Sequence, residues 1–163
     1  MSQLEKIYLD LELTPQAAAE QLASALSLAI RAGDEGEQYV YLTAPGFGGV
    51  DAVAGGPLSY NGSWNQHRPD ERTAFDACRL VWSLMSLPRD GLGEVQQRQA
   101  EALFVSIVDE LAWPAVLLVG SDFVKATHHP TRGLRRFPPR TSPYVEDAAI
   151  WGVEPDGSAS AKA

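Results

Sequence analysis

His128 and His129 stand side by side in the run Lys125-Ala-Thr-His128-His129-Pro-Thr-Arg132-Gly-Leu-Arg135-Arg136-Phe137-Pro-Pro-Arg140. This stretch lies within a span, Phe123 to Tyr144, that holds five cations and no carboxylate. A forked guanidinium suits phosphate and carboxylate, and imidazole exchanges protons near neutral pH, so these residues have the chemistry to hold or process an anion. The whole chain has a formal charge of −8, so the cations are segregated against an acidic remainder. Pro130, Pro138 and Pro139 stiffen the stretch, which lowers the cost of ordering it on a partner. Its arginines have a purely structural alternative, pairing with acids of the same chain such as Glu146 and Asp147.

Further reactive groups are sparse. His67 is the one other histidine. With His128 and His129 it forms the candidate proton-transfer set of a catalytic reading, in which the basic loop folds over a pocket lined by Gly46 to Gly56. A metal would need Asp122 and His67 beside the histidine pair. With no H-x-H or H-x-x-x-H spacing, no metal site and no cofactor are expected. Gly46-Phe-Gly48-Gly49-Val-Asp51 has an aspartate where the third glycine of a dinucleotide loop belongs, so its glycines are read as turn residues. Cys78, the single cysteine, lies among apolar neighbours and is read as a core thiol. Asp70 and Glu71 open an expected helix, where the dipole accounts for them without catalysis.

Aromatic residues give a different signal. Tyr60, Trp64, Trp113, Phe137 and Tyr144 fall in expected loops or at element ends, beside prolines and cations, and Trp, Tyr and Arg are the residue types of binding hot spots. With catalytic motifs absent, the reading is a non-enzymatic interaction protein of the kind represented by small bacterial immunity or antitoxin-type inhibitors. It would bind another protein through Arg132, Arg135, Arg136, Arg140, Phe137 and Trp64. The alternative is an anion-handling enzyme or small-molecule-binding domain that takes phosphate or carboxylate. Nucleic acid ranks third, because the acidic remainder repels phosphate. No apolar run approaches the ~20 residues of a membrane span, and the N-terminus lacks a signal-peptide pattern, so a cytoplasmic protein without a membrane partner is expected.

The elements expected to position these groups follow from periodicity. Lys6 to Leu13 alternates as a half-buried strand. Thr14-Pro15 supplies a cap and a first-turn proline for a helix over 17–31, with Leu22, Leu26, Ala29 and Ile30 as its stripe and Gly33 as its end. Gln38 to Thr43 reads as a strand, and 50–53 with 58–60 as a hairpin around Gly55-Gly56-Pro57. Phe75, Cys78, Trp82 and Met85 recur at helical spacing over 70–87, as do Leu103, Phe104, Ile107, Val108 and Leu111 over 94–111, ahead of Pro114. Ala115 to Gly120 is a buried strand, and 148–153 a last one. The sum is an α+β fold: one domain over 1–153, a mixed sheet of about five strands, three helices mainly on one face and a disordered tail over 154–163.

Overall fold

The computed structural model describes residues 4–32, 39–45, 53–62, 64, 72–87, 93–120 and 123–152. The elements run β1 (Glu5–Leu9), α1 (Pro15–Leu26), β2 (Ala29–Ala32), β3 (Tyr39–Pro45), β4 (Val53–Tyr60), β5 (Leu80–Leu87), α2 (Gly93–Leu111), β6 (Ala115–Val119), β7 (Phe123–His129) and β8 (Gly133–Arg136). A 3-10 turn, Val145–Asp147, then leads into the four-residue α3 (Ala148–Trp151). The fold is α+β, but its sheet has, among the described residues, eight strands rather than about five, in the order β2-β3-β4-β5-β1-β6-β7-β8. Every neighbouring pair is antiparallel, so the sheet is not mixed.

Strand β1 is central, with Ile7 opposite Trp82 on β5 and Leu117 on β6. Its alternation separates two cores. Ile7 and Leu9 join Leu42, Leu58, Leu80, Trp82, Leu84 and Leu117 beneath the buried faces of α1 and α2. Tyr8 points the other way, into a smaller cluster with Phe75, Cys78, Val116, Val124 and Trp151, and stacks on Phe75 with ring centroids 4.3 Å apart. Each fully buried Leu or Ile in the larger core contributes about 1.5–3 kcal/mol of transfer free energy. Glu5, only 1% exposed, enters the interior with partners: its carboxylate accepts from the Gly120 amide at 2.8 Å and from the Gln96 side chain. Among the described residues, no buried side-chain nitrogen or oxygen lacks a hydrogen bond.

The starts of two helices and three strands, β1, β3 and β6, match their sequence signals, although β1 ends at Leu9 rather than Leu13. Thr14 caps α1 by accepting from the Ala17 amide at 3.1 Å, with Pro15 at the first helical position. α2 buries Leu103, Phe104 and Ile107, and β6 is an apolar central strand. Four expectations are overturned. α1 stops at Leu26, where Ser27 turns left-handed at φ 57°, and Ala29 to Ala32 continue as β2. Residues 53–60 form one strand rather than a hairpin, because the Gly55-Gly56-Pro57 stretch lets β4 run close against β5. The helix read over 70–87 is, where described, a turn at 74–77 followed by β5. In β5, Leu80, Trp82 and Leu84 take one face and Val81 the other, and Asn61 pins the preceding turn by donating to the Phe75 and Cys78 carbonyls. The last strand is instead α3, packed through Ala148 and Trp151 on the smaller core. Consequently α1 and α2 cover one face of the sheet and α3 the other. Gly33, Gly46 to Asp51, Asp70, Glu71 and the tail expected over 154–163 lie outside the described residues.

Candidate functional site

The basic stretch is not a loop but the β7–β8 hairpin, turned at Pro130 to Arg132 with Gly133 at φ +80°. Strand alternation then divides its adjacent pairs between the two faces of the sheet. Arg136 points toward α2, where its Nη1 lies 3.5 Å from the Glu101 carboxylate that also holds Lys125 at 2.7 Å. Arg135 points the opposite way: its guanidinium donates to the Trp151 and Ile150 carbonyls at 3.2 and 2.6 Å and lies 5.0 Å over the Phe137 ring. It thereby satisfies the carbonyls that end α3. The structural alternative applies to both arginines, although not through the acids first considered. Glu146 accepts from the Ser142 hydroxyl and Asp147 from the Ser142 amide.

The histidines separate likewise. His128 Nδ1 lies 2.7 Å from the Trp113 carbonyl, which can only accept, so Nδ1 carries the proton. His129 Nδ1 instead accepts from the Thr131 amide and hydroxyl at 3.2 and 2.8 Å, which puts its proton on Nε2. Desolvation, helped by the neighbouring Arg132 and His128, holds the His129 pKa below its ordinary value, with Asp10 acting the other way. His67 and Asp122 lie outside the described residues. No group of three or more potential metal ligands occurs among the described residues.

On the face opposite α1 and α2, the ends of β1, β6 and β7, the turn at 72–78 and the end of α3 enclose a cleft of about 280 Å³. Asp10, Cys78, His129, Arg132 and Arg135 line it; Gly55 and Gly56, on β4, do not, and the rest of the glycine stretch expected to line a pocket lies outside the described residues. Cys78 is buried. Desolvation, then the nearby Asp10 and Asp76 carboxylates, push its thiol well above the ordinary range, which leaves it unsuited to nucleophilic attack. Asp10 is raised by burial and by Glu12, against the pull of His129 and Arg79.

The loop aromatics divide. Trp113 is buried, Phe137 is half covered by Arg135, and Trp64 lies under the Arg79 guanidinium, 4.3 Å from its ring centroid. Tyr144 and Tyr60 stay exposed. Arg132 and Arg140 are exposed, and neither forms an ion pair among the described residues; Arg140 adopts a left-handed φ of 67°. Sequence reasoning missed Asp10, which was read as the polar side of a strand, and Arg72, at the start of an expected helix. Neither position has a local signal, because only the strand order brings them beside β7 and β8. No described helix is long and apolar enough to cross a membrane. The fold and site define an α+β protein with an eight-stranded antiparallel sheet, a cationic edge hairpin and a small charged cleft. No family model, curated protein sequence or solved structure matches the chain.

Proposed function

We propose that this protein is a non-enzymatic interaction protein that binds an acidic partner protein along the β7–β8 hairpin and the segment that follows it, an activity compatible with immunity or antitoxin-type inhibition. One observation carries the reading. Of the seven large hydrophobic side chains exposed among the described residues, five (Phe123, Leu134, Tyr144, Val145 and Ile150) belong to 123–150, the same stretch that presents Arg132, Arg136 and Arg140 to solvent. Exposed apolar area beside guanidiniums, of which Arg132 and Arg140 form no ion pair among the described residues while Arg136 already meets Glu101, is the composition of a protein interface rather than of an inert surface. β8 is also an end strand, with β7 as its one partner in the sheet, and Leu134 on it is 42% exposed. An extended acidic segment could add along such an edge.

The division of the histidine pair weakens the catalytic alternative. His128 and His129 both line the cleft, but each Nδ1 is already engaged, that of His128 with the Trp113 carbonyl and that of His129 with Thr131, so neither ring offers more than Nε2 for proton transfer. The test is quantitative capture of partners from the native host with the wild type and with Leu134→Asp/Arg140→Glu, after both are shown to melt alike. An acidic protein retained by the wild type in a salt-sensitive manner, and lost from the variant, supports the reading. Capture left intact by the variant, or turnover of a small molecule by the purified protein, overturns it.

A further inference from the structure

The cleft on the α3 face has its own logic, separate from the hairpin edge. At about 280 Å³ it lies just below the roughly 300–1,000 Å³ of small-molecule sites, so a ligand there must be small. Its floor is apolar, built by Ala115, Val116 and the buried Cys78. Most of its charges are already engaged in building the walls. Arg135 is bound to the carbonyls of α3, Arg72 lies 5.6 Å from the Trp151 ring centroid, and the Asp76 carboxylate accepts from the Thr73 amide and hydroxyl at 2.9 and 2.6 Å.

Two lining charges of opposite sign are not engaged in this way. Asp10, just past the end of β1, and Arg132, in the β7–β8 turn, form no ion pair and no side-chain hydrogen bond among the described residues. His129 feels both charges, and its protonated Nε2 offers one neutral donor near them. A simple anion would have to tolerate the Asp10 carboxylate, and a simple cation would meet three guanidiniums. A ligand that carries both charges around an apolar body satisfies every group.

We propose that this cleft binds a small zwitterion of the α-amino acid class, with its carboxylate on Arg132, its ammonium on Asp10 and an apolar side chain on the floor formed by Val116 and Cys78. Binding to the native state raises the melting temperature by mass action, so the whole chain can be screened by thermal shift and confirmed by calorimetry. The probes are the standard L-amino acids, the N-acetyl and methyl-ester derivatives of the best one, and inorganic phosphate and acetate as plain anions. At least one apolar amino acid should bind, and loss of either charge should weaken it about 10- to 100-fold, the worth of one charge-assisted hydrogen bond. In Arg132→Gln the ester should bind as well as the parent, and in Asp10→Asn the N-acetyl form should, with both variants melting like the wild type. The proposal is overturned if no amino acid binds, or if phosphate or acetate binds as tightly as the zwitterion. It also fails if the single variants lose stability and the double variant loses no more than either, because Asp10 and Arg132 would then serve each other. None of these outcomes depends on Leu134 or Arg140, so the cleft and the hairpin edge are tested apart.

Discussion

Gly56→Ala is the sharpest test of the sheet. A Cβ at Gly56 would lie 1.6 Å from the Ser83 carbonyl oxygen and 2.8 Å from its carbon, whereas ordinary contact begins at 3.4 Å. The obstacle is backbone of β5, so it cannot swing aside as a side-chain tip would. β4 and β5 would have to part by about 1.8 Å, the difference between the 3.4 Å and 1.6 Å distances. That movement also stretches the bond from the Trp82 indole nitrogen to the Gly56 carbonyl, now 3.1 Å. Overpacking costs about 1–3 kcal/mol and each weakened hydrogen bond about 0.5–1.5 kcal/mol, so the expected loss is roughly 3–5 kcal/mol. This is a large part of the ~5–15 kcal/mol that holds a domain folded. At ~2–4 °C per kcal/mol for a chain of this size, the melting temperature should fall by about 6–20 °C.

Circular dichroism melts, with tryptophan fluorescence followed in parallel, read the effect. Two other glycines calibrate it. Gly62 has nothing within 4 Å of a Cβ, so Gly62→Ala should stay within about 0.5 kcal/mol of the wild type. Gly133 is also open but sits at φ +80°, so Gly133→Ala should cost only the ~1–2 kcal/mol of left-handed strain. A Gly56→Ala protein that melts within about 2 °C of the wild type, less than the shift from 1 kcal/mol, would refute the close approach of β4 to β5.

Glu5→Ala removes the acceptor of the half-buried Gly120 amide and of the Gln96 side chain, and should cost about 1–3 kcal/mol in urea unfolding; a neutral result would mean that water replaces the carboxylate. Cys78 should not react with a thiol reagent in the native protein near pH 8 and should react with one equivalent in denaturant, whereas fast native labelling would show that the turn at 74–77 opens readily. Burial, with Tyr144 and Cys78 nearby, pushes the Tyr8 phenol up to about 12 from 10.0. The folded state therefore holds that proton more tightly than the unfolded one, and the associated stability is complete below pH 10 and lost as pH rises through about 12. Denaturant titrations from pH 9 to pH 12 should show a larger loss in the wild type than in Tyr8→Phe, where the loss from the buried Cys78 thiol persists; equal losses would refute the assignment to Tyr8.

How much of this protein its sequence determined depends on how local the deciding physics is. The start of α1 was legible because Thr14 and Pro15 meet the needs of a helix N-terminus within one turn, and α2 because one apolar stripe, Leu103 to Leu111, repeats over about two and a half turns. β6 was legible as an apolar run too short for a helix. The α+β class and a buried Cys78 followed in the same way. Local spacing misled where a long-range partner decided the outcome. Phe75, Cys78, Trp82 and Met85 fit a helix, yet Leu80, Trp82 and Leu84 also alternate, and the open edges of β1 and β4 select the strand. Gly55-Gly56-Pro57 resembles a turn until β3 and β5 flank it, because the glycine that frees a turn equally admits a neighbouring backbone. The basic stretch could be seen in the sequence as charge but not as geometry. A two-residue period sent Arg135 to α3 and Arg136 to α2, and split His128 from His129. The cleft itself joins residues more than a hundred positions apart, Asp10 and Arg132, which only the strand order β1-β6-β7-β8 brings to its lining.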